Sequence, residues 1–134
     1  MTQARFSLAL SAAVAALWTT PSSAAETVEF TREAFEAAQA AGRAVVVDVA
    51  AWWCPVCIVQ GRHVATVVSA PEFDKVVVMR LGWGSQEAEW KRFNVTQRGT
   101  LIAFHGKEER ARLVFETDTD KIRGVVQAAV ADTK

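Results

Sequence analysis

The sequence contains only two cysteines, three prolines and no tyrosine among its 134 residues. It also lacks a net charge, because 15 lysines and arginines balance 15 aspartates and glutamates. Proteins that bind nucleic acid or anionic membranes usually carry a clear excess of positive charge, so neither kind of partner is expected. No repeat or low-complexity stretch is present, and the length suits a single domain.

No apolar run reaches the roughly 20 residues that a membrane-spanning helix needs. The uncharged run from Phe6 to Trp18 has about 13 residues and follows one basic residue, Arg5. Small residues up to Ala25 complete the three-part layout of a secretory signal peptide, with an uncleaved anchor as the alternative. We therefore expect residues 1–25 to be a cleaved signal peptide and residues 26–134 to form one domain in the periplasm.

The two cysteines are three residues apart, at Cys54 and Cys57. A disulfide that closes so short a loop removes little chain entropy, so stability is a poor reason for the pair. Haem attachment would need a histidine directly after the second cysteine, where Ile58 stands, and a zinc ribbon would need a second cysteine pair. Redox chemistry is therefore preferred, and a copper or iron–sulfur carrier is the alternative.

Hydrophobic patterning in residues 26–134 predicts the order β-α-β-α-β-α-β-β-α. The run from Ala44 to Ala51 is apolar except at Asp48, which indicates a central strand covered on both faces. Pro55 suits the first turn of a helix that we expect from Val56 to about Ser69. Strands are also expected at 28–30, 75–81, 100–105 and 110–115, and helices at 32–41, after a Ser85 cap and after an Asp118 or Thr119 cap. An α/β fold with a central mixed sheet and helices on both faces follows.

The junction of strand and helix suits a thiolate at Cys54, because helix N-terminal N–H groups stabilise an anion there. We predict that Cys54 is the nucleophile and that Cys57, one turn further along and more buried, is the resolving cysteine. Burial of Asp48 in an apolar strand should raise its pKa and make it a proton acceptor for Cys57. A strand-end carboxylate satisfied by backbone or water is the alternative for Asp48.

The segment from Val45 to Cys57 resembles the active-site segment of the thioredoxin superfamily. That family has a buried aspartate six residues before its first cysteine, as Asp48 is here, and a tryptophan directly before that cysteine, as Trp53 is. Its third strand carries a lysine near the aspartate, and Arg80 takes this place as a supporting residue. The resemblance covers essentially all of residues 26–134. It implies a thioredoxin-like fold, a redox-active disulfide between the two cysteines, no cofactor and a monomer.

Residues 69–73, Ser-Ala-Pro-Glu-Phe, are similar to exported thioredoxin-like domains that work with membrane electron transporters of the DsbD type. The resemblance therefore implies a disulfide-containing protein as substrate and a membrane thiol donor of this type as partner. Small periplasmic thioredoxins of sulfur-oxidation and cytochrome-maturation systems are similar in size and layout, so the pathway stays open. A thioredoxin-fold interaction module that has lost turnover is a further alternative.

The family places a cis-proline opposite the cysteines, and in this sequence Gly99 takes that place. Glycine allows a close backbone approach but cannot fix φ as proline does. Arg98 beside it could favour an anionic partner, such as glutathione or an acidic protein patch, with a solvated loop charge as the alternative. The expected substrate-binding residues are Trp53, Pro55, Arg98, Gly99 and Thr100.

Overall fold

The computed structural model describes residues 24–132, which form an α/β fold around a five-stranded sheet. The strands are β1 (Glu26–Glu29), β2 (Ala44–Ala50), β3 (Val77–Gly82), β4 (Thr100–His105) and β5 (Glu108–Val114). The helices are α1 (Arg32–Ala40), α2 (Pro55–Val68), α3 (Glu87–Arg92) and α4 (Thr119–Val130), with a 3-10 turn at Pro71–Phe73. The predicted signal peptide lies outside the described residues, apart from its last two positions.

The sheet has the order β1-β3-β2-β4-β5 and is mixed, as predicted. Strands β1, β3 and β2 are parallel, whereas β4 pairs antiparallel with both β2 and β5. The central position of β2 explains its continuous apolar sequence, because both of its faces are covered. None of the helices within residues 24–132 is long and apolar enough to cross a membrane.

Alternate side chains of β2 enter two separate cores on opposite faces of the sheet. Val45, Val47 and Val49 belong to the core that includes Phe35 of α1 and borders α3. Val46 belongs to the core formed with α2 and α4. Because strand side chains alternate, Asp48 faces the same side as Val46, towards α2. This parity places the only charged residue of β2 beneath the helix that carries the cysteines.

Of the helix caps predicted from the sequence, the one at Asp118 is confirmed and the one at Ser85 is wrong. The side chains of Thr31 and Asp118 accept hydrogen bonds from the first turns of α1 and α4, as N-caps do. Ser85 does not cap α3; Gln86 precedes this helix instead. The Gln86 side chain accepts from the Gly82 N–H and donates to the Phe30 carbonyl, both at 2.9 Å. Tertiary hydrogen bonds, rather than a local cap, therefore set the start of α3.

Candidate active site

Cys54 and Cys57 form a disulfide at the N-terminus of α2, with their Cα atoms 5.2 Å apart. The Cys57 N–H donates a hydrogen bond to the Sγ of Cys54 at 3.2 Å, so Cys54 is the N-cap of the helix. Pro55 occupies the first helical position, where its missing N–H leaves no bond unmade. After reduction, the N–H and the helix dipole would stabilise a thiolate at Cys54, which favours this sulfur as the nucleophile.

Both cysteines are buried, so the prediction that Cys57 is the more buried one is wrong. Cys54 is 1% exposed and Cys57 is 3% exposed. They pack with Ala51, and the ring of Trp83 lies against this small cluster. Exposure therefore does not separate the two roles, and the N-cap geometry of Cys54 is the observation that does.

Asp48 is buried on β2, as predicted, with 3% of its surface exposed. Its Oδ1 atom has no hydrogen-bond partner within residues 24–132. Burial raises the pKa of Asp48 to about 6, although the positive charge of Arg80 acts in the opposite direction. Arg80 is the residue opposite Asp48 in the parallel pairing of β2 with β3, which is the place that the sequence assigned to it. A carboxyl group that titrates near neutral pH can accept and release a proton during catalysis.

An open cleft of about 710 Å³ connects Asp48 and Cys57 with the surface. It lies between α2 and the chain that follows β3, and Gly61, Arg80 and Trp83 contribute to its walls. A methyl group added at Gly61 would come within 3.9 Å of the Asp48 Oδ2. With no side chain at Gly61, the buried Asp48 forms part of the cleft wall. The only sequence signal for this role is a glycine inside an otherwise regular helix.

Gly99 lies beside the disulfide, as the family resemblance implied. A Cβ atom at this position would be 3.8 Å from the Sγ of Cys57 and only 3.2 Å from the Phe115 ring. Its φ of 76° lies in the left-handed region that glycine adopts readily. The Gly99 N–H donates to the Val49 carbonyl at 2.7 Å, and the Gly99 carbonyl accepts from the Phe115 N–H at 2.8 Å. Backbone hydrogen bonds on both sides thus hold the loop that carries no proline.

Gln60 is a site residue that the sequence reasoning missed. Its side chain is fully buried and donates to the carbonyls of Gly99 at 3.0 Å and Glu116 at 2.9 Å. It therefore ties α2, one turn after Cys57, to the two loops beside the disulfide. A polar residue on the buried face of an apolar helix was the signal that could have revealed it.

Trp53, Arg98 and Thr100 are the other predicted substrate-binding residues, and only Trp53 lines the cleft. Trp53 is half exposed, and the guanidinium of Arg98 lies over its ring at 4.8 Å. Thr100 is buried, and its hydroxyl donates to the Gln97 carbonyl at 2.6 Å. Trp53 precedes Cys54 in the chain, and Arg98 and Thr100 flank Gly99, which lies near Cys57. Their contact with a substrate stays a prediction.

The two histidines bind backbone carbonyls. The Nδ1 atom of His63 lies 2.6 Å from the Thr117 carbonyl, and that of His105 lies 2.9 Å from the Ala129 carbonyl. Within the described part of the chain, no group of three histidine, cysteine or acidic side chains is arranged to hold a metal ion.

The chain is similar in structure to several solved thioredoxins. No protein-family model and no curated protein sequence matches it. The crystal structure of Trxlp from Edwardsiella tarda has a TM-score of 0.73 and 32% identity, covering 75% of this chain and 98% of that chain. Two further thioredoxins show the fold alone. The thioredoxin of Malassezia sympodialis is 19% identical to this chain and has a TM-score of 0.70. The alignment covers 81% of this chain and 93% of that chain. Thioredoxin f from spinach chloroplast is 18% identical and has a TM-score of 0.68, and the alignment covers 84% of this chain and 100% of that chain. Because Trxlp is 32% identical over 75% of this chain, and because Cys54 and Cys57 form a disulfide at the start of α2, the chain belongs to the thioredoxin superfamily, as a thiol–disulfide oxidoreductase.

Proposed function

We propose that the protein works in the periplasm and reduces disulfides in other proteins. The signal-peptide layout of residues 1–25 supports export. The reducing direction is supported by one structural observation: Asp48 and Cys57 line the same cleft, and the pKa of Asp48 is raised to about 6 by burial. A base at this position favours the step in which the second cysteine must lose its proton.

The proposed reaction transfers two electrons from the dithiol to the substrate disulfide. The Cys54 thiolate attacks one substrate sulfur, which forms a mixed disulfide and releases the other sulfur as a thiolate. Asp48 then accepts the proton of Cys57, and the Cys57 thiolate attacks the sulfur of Cys54. The bond between Cys54 and the substrate breaks, the second substrate thiolate leaves, and the Cys54–Cys57 disulfide is restored.

A second dithiol must then reduce the protein again. We propose a membrane thiol donor of the DsbD type, which the Ser-Ala-Pro-Glu-Phe sequence at residues 69–73 supports by its similarity to domains that use such donors. Glutathione is the small-molecule alternative for this step. Growth of a strain without the membrane donor would separate them, because only a donor-dependent protein would accumulate in the oxidised form.

The function is tested by trapping substrates on the Cys57→Ser variant of the full chain. Without the resolving thiol, mixed disulfides on Cys54 should accumulate in the exported fraction and disappear on treatment with reductant. The matched control is the double variant Cys54→Ser with Cys57→Ser, which should trap nothing. Equal trapping by both variants, or none by Cys57→Ser, would contradict the assigned roles.

The proposed location is tested on the same preparation by N-terminal sequencing. Cleavage after Ala25 predicts a mature protein that begins at Glu26 and is released with the periplasmic contents. An intact Met1 in the cytoplasmic fraction would contradict export. Metal analysis of the gently purified protein addresses the carrier alternative, which would require bound metal in a fixed ratio and no disulfide reduction.

A further inference from the structure

Arg98 lies at the rim of the disulfide, with its guanidinium beside two aromatic rings. Its Cζ atom is 4.8 Å from the centroid of Trp53 and 5.9 Å from that of Phe115. Trp53 directly precedes the first cysteine, and Gly99, the next residue after Arg98, lies against the second. The positive charge is therefore placed where a substrate must approach the sulfur atoms.

The guanidinium of Arg98 has no carboxylate partner in residues 24–132. Five other arginines in this part of the chain do have a carboxylate oxygen within 4.0 Å: Arg32, Arg43, Arg110, Arg112 and Arg123. The Nε atom of Arg98 is buried and has no hydrogen-bond acceptor. Aromatic faces stabilise the cation, but they do not replace the in-plane acceptors that a guanidinium prefers. No hydrogen bond within residues 24–132 occupies its two terminal nitrogens, so their N–H donors are available to a ligand.

The side chains shown to lie beside the Arg98 guanidinium are the aromatic rings of Trp53 and Phe115. Trp53 is 50% exposed and Phe115 is 40% exposed. The nearest acidic residue along the chain from Phe115 is Glu116, whose carboxylate already pairs with Lys121 at 2.6 Å. A carboxylate brought to Arg98 by a substrate would lose part of its surrounding water, which strengthens a charged hydrogen bond.

We propose that Arg98 selects protein disulfides that carry an acidic residue next to the cysteine. The substrate carboxylate binds the Arg98 guanidinium while its disulfide lies over Cys54 and its apolar groups pack on Trp53 and Phe115. This specificity rests on the proposed reductase function and adds to it the chemical class of the preferred substrate. If Arg98 only stacks on the Trp53 ring and does not contact the substrate, the protein should show no preference for acidic substrates.

The preference can be measured with three disulfide-linked peptide dimers that differ only in the residue after cysteine: aspartate, glutamine or lysine. Initial rates with the reduced full chain give kcat/KM for each peptide. The wild-type protein should favour the aspartate peptide over the lysine peptide roughly tenfold at low ionic strength. Raising NaCl from about 20 mM to about 500 mM should bring this ratio close to one.

Substitutions at Arg98 test whether this residue causes the preference for the aspartate peptide. Arg98→Gln should abolish the ratio and Arg98→Glu should reverse it, whereas Lys107→Gln should keep it. Lys107 carries the same charge in the turn after β4, about 20 Å from the disulfide end of that strand. An aspartate-to-lysine ratio that is the same in the wild type and both Arg98 variants overturns the inference but leaves the reductase function intact. No reduction of any peptide by the wild type overturns both.

Discussion

The buried side-chain amide of Gln60 donates a 3.0 Å hydrogen bond to the carbonyl oxygen of Gly99, the residue that lies against the disulfide. A proline would restrict this loop through its ring, whereas here a side chain from α2 holds it. The same amide group reaches the Glu116 carbonyl at 2.9 Å, so one residue positions two loops. Because Gln60 belongs to the helix that carries the cysteines, its hydrogen bond fixes the position of the Gly99 loop relative to the disulfide.

Replacing Gln60 with methionine should remove both hydrogen bonds while keeping the length of the side chain. We expect the free energy of unfolding to fall by about 1–3 kcal/mol, since buried carbonyls lose a donor. Amide hydrogen exchange should accelerate at Phe115, whose N–H bonds the Gly99 carbonyl. The exposed Gln127→Met in α4 is the matched control and should change neither quantity. Unchanged exchange at Phe115 would show that Gln60 does not hold the loop.

Gly99 should not tolerate the proline that the family has at this place. Proline requires a φ near −65°, whereas Gly99 has 76°, and its N–H is needed for the 2.7 Å hydrogen bond to Val49. Gly99→Ala should lower the free energy of unfolding by about 1–2 kcal/mol, because alanine avoids positive φ and its Cβ would press on Phe115. Gly99→Pro should lower it further.

The control for both Gly99 variants is Gly124→Ala. Gly124 lies inside α4, and a methyl group there would meet no atom within 4 Å. Alanine should therefore stabilise the protein by roughly 0.5–1 kcal/mol through its higher helix propensity. Denaturant unfolding measures all three variants. A Gly99→Pro protein as stable as the wild type would mean that the loop can adopt the family conformation.

The sequence predicted what depends on local pattern. Two-sided burial of β2, the Pro55 start of α2 and the isolated charge at Asp48 follow from neighbouring residues, and the structure places all three as expected. The roles of Gln60 and Gln86 depend on carbonyls 39 and 56 residues away in the chain, so no local pattern contains them. The equal burial of the two cysteines likewise follows from the packing of Ala51 and Trp83, which come from separate segments.

A substitution at Gly61 can change the hydration of the Asp48 carboxylate without replacing Asp48 itself. Gly61→Ala should stabilise α2 by roughly 0.5–1 kcal/mol through helix propensity. Its methyl group, 3.9 Å from the Asp48 Oδ2, should also exclude water from the carboxylate and raise the pKa of Asp48 further above its usual range. Titration of the Asp48 carboxyl carbon by NMR in the oxidised protein measures this. An unchanged or lowered pKa would show that the cleft does not hydrate Asp48 through Gly61.

Asp48 should make the stability of the oxidised protein depend on pH. Its pKa is 3.8 in the unfolded reference and about 6 in the folded protein. Between these values Asp48 binds more protons in the folded state, so its contribution to stability is greatest below about pH 3.8 and is lost as the pH rises through 6. The full loss corresponds to about 3 kcal/mol. Asp48→Asn should therefore be more stable than the wild type at about pH 7.5.

The stability difference between Asp48→Asn and the wild type should shrink as the pH approaches 4. At this pH the buried carboxyl of the wild type is protonated and therefore neutral, like the asparagine side chain of the variant. Unfolding by denaturant at several pH values, with the disulfide intact, gives the two curves. The exposed Asp132→Asn is the matched control, since it changes the same functional group where no burial acts on it, and its curve should follow the wild type. Parallel curves for Asp48→Asn and the wild type would mean that folding does not change the pKa of Asp48, for example because Arg80 offsets the effect of burial, and would remove the basis for its role as the proton acceptor of Cys57.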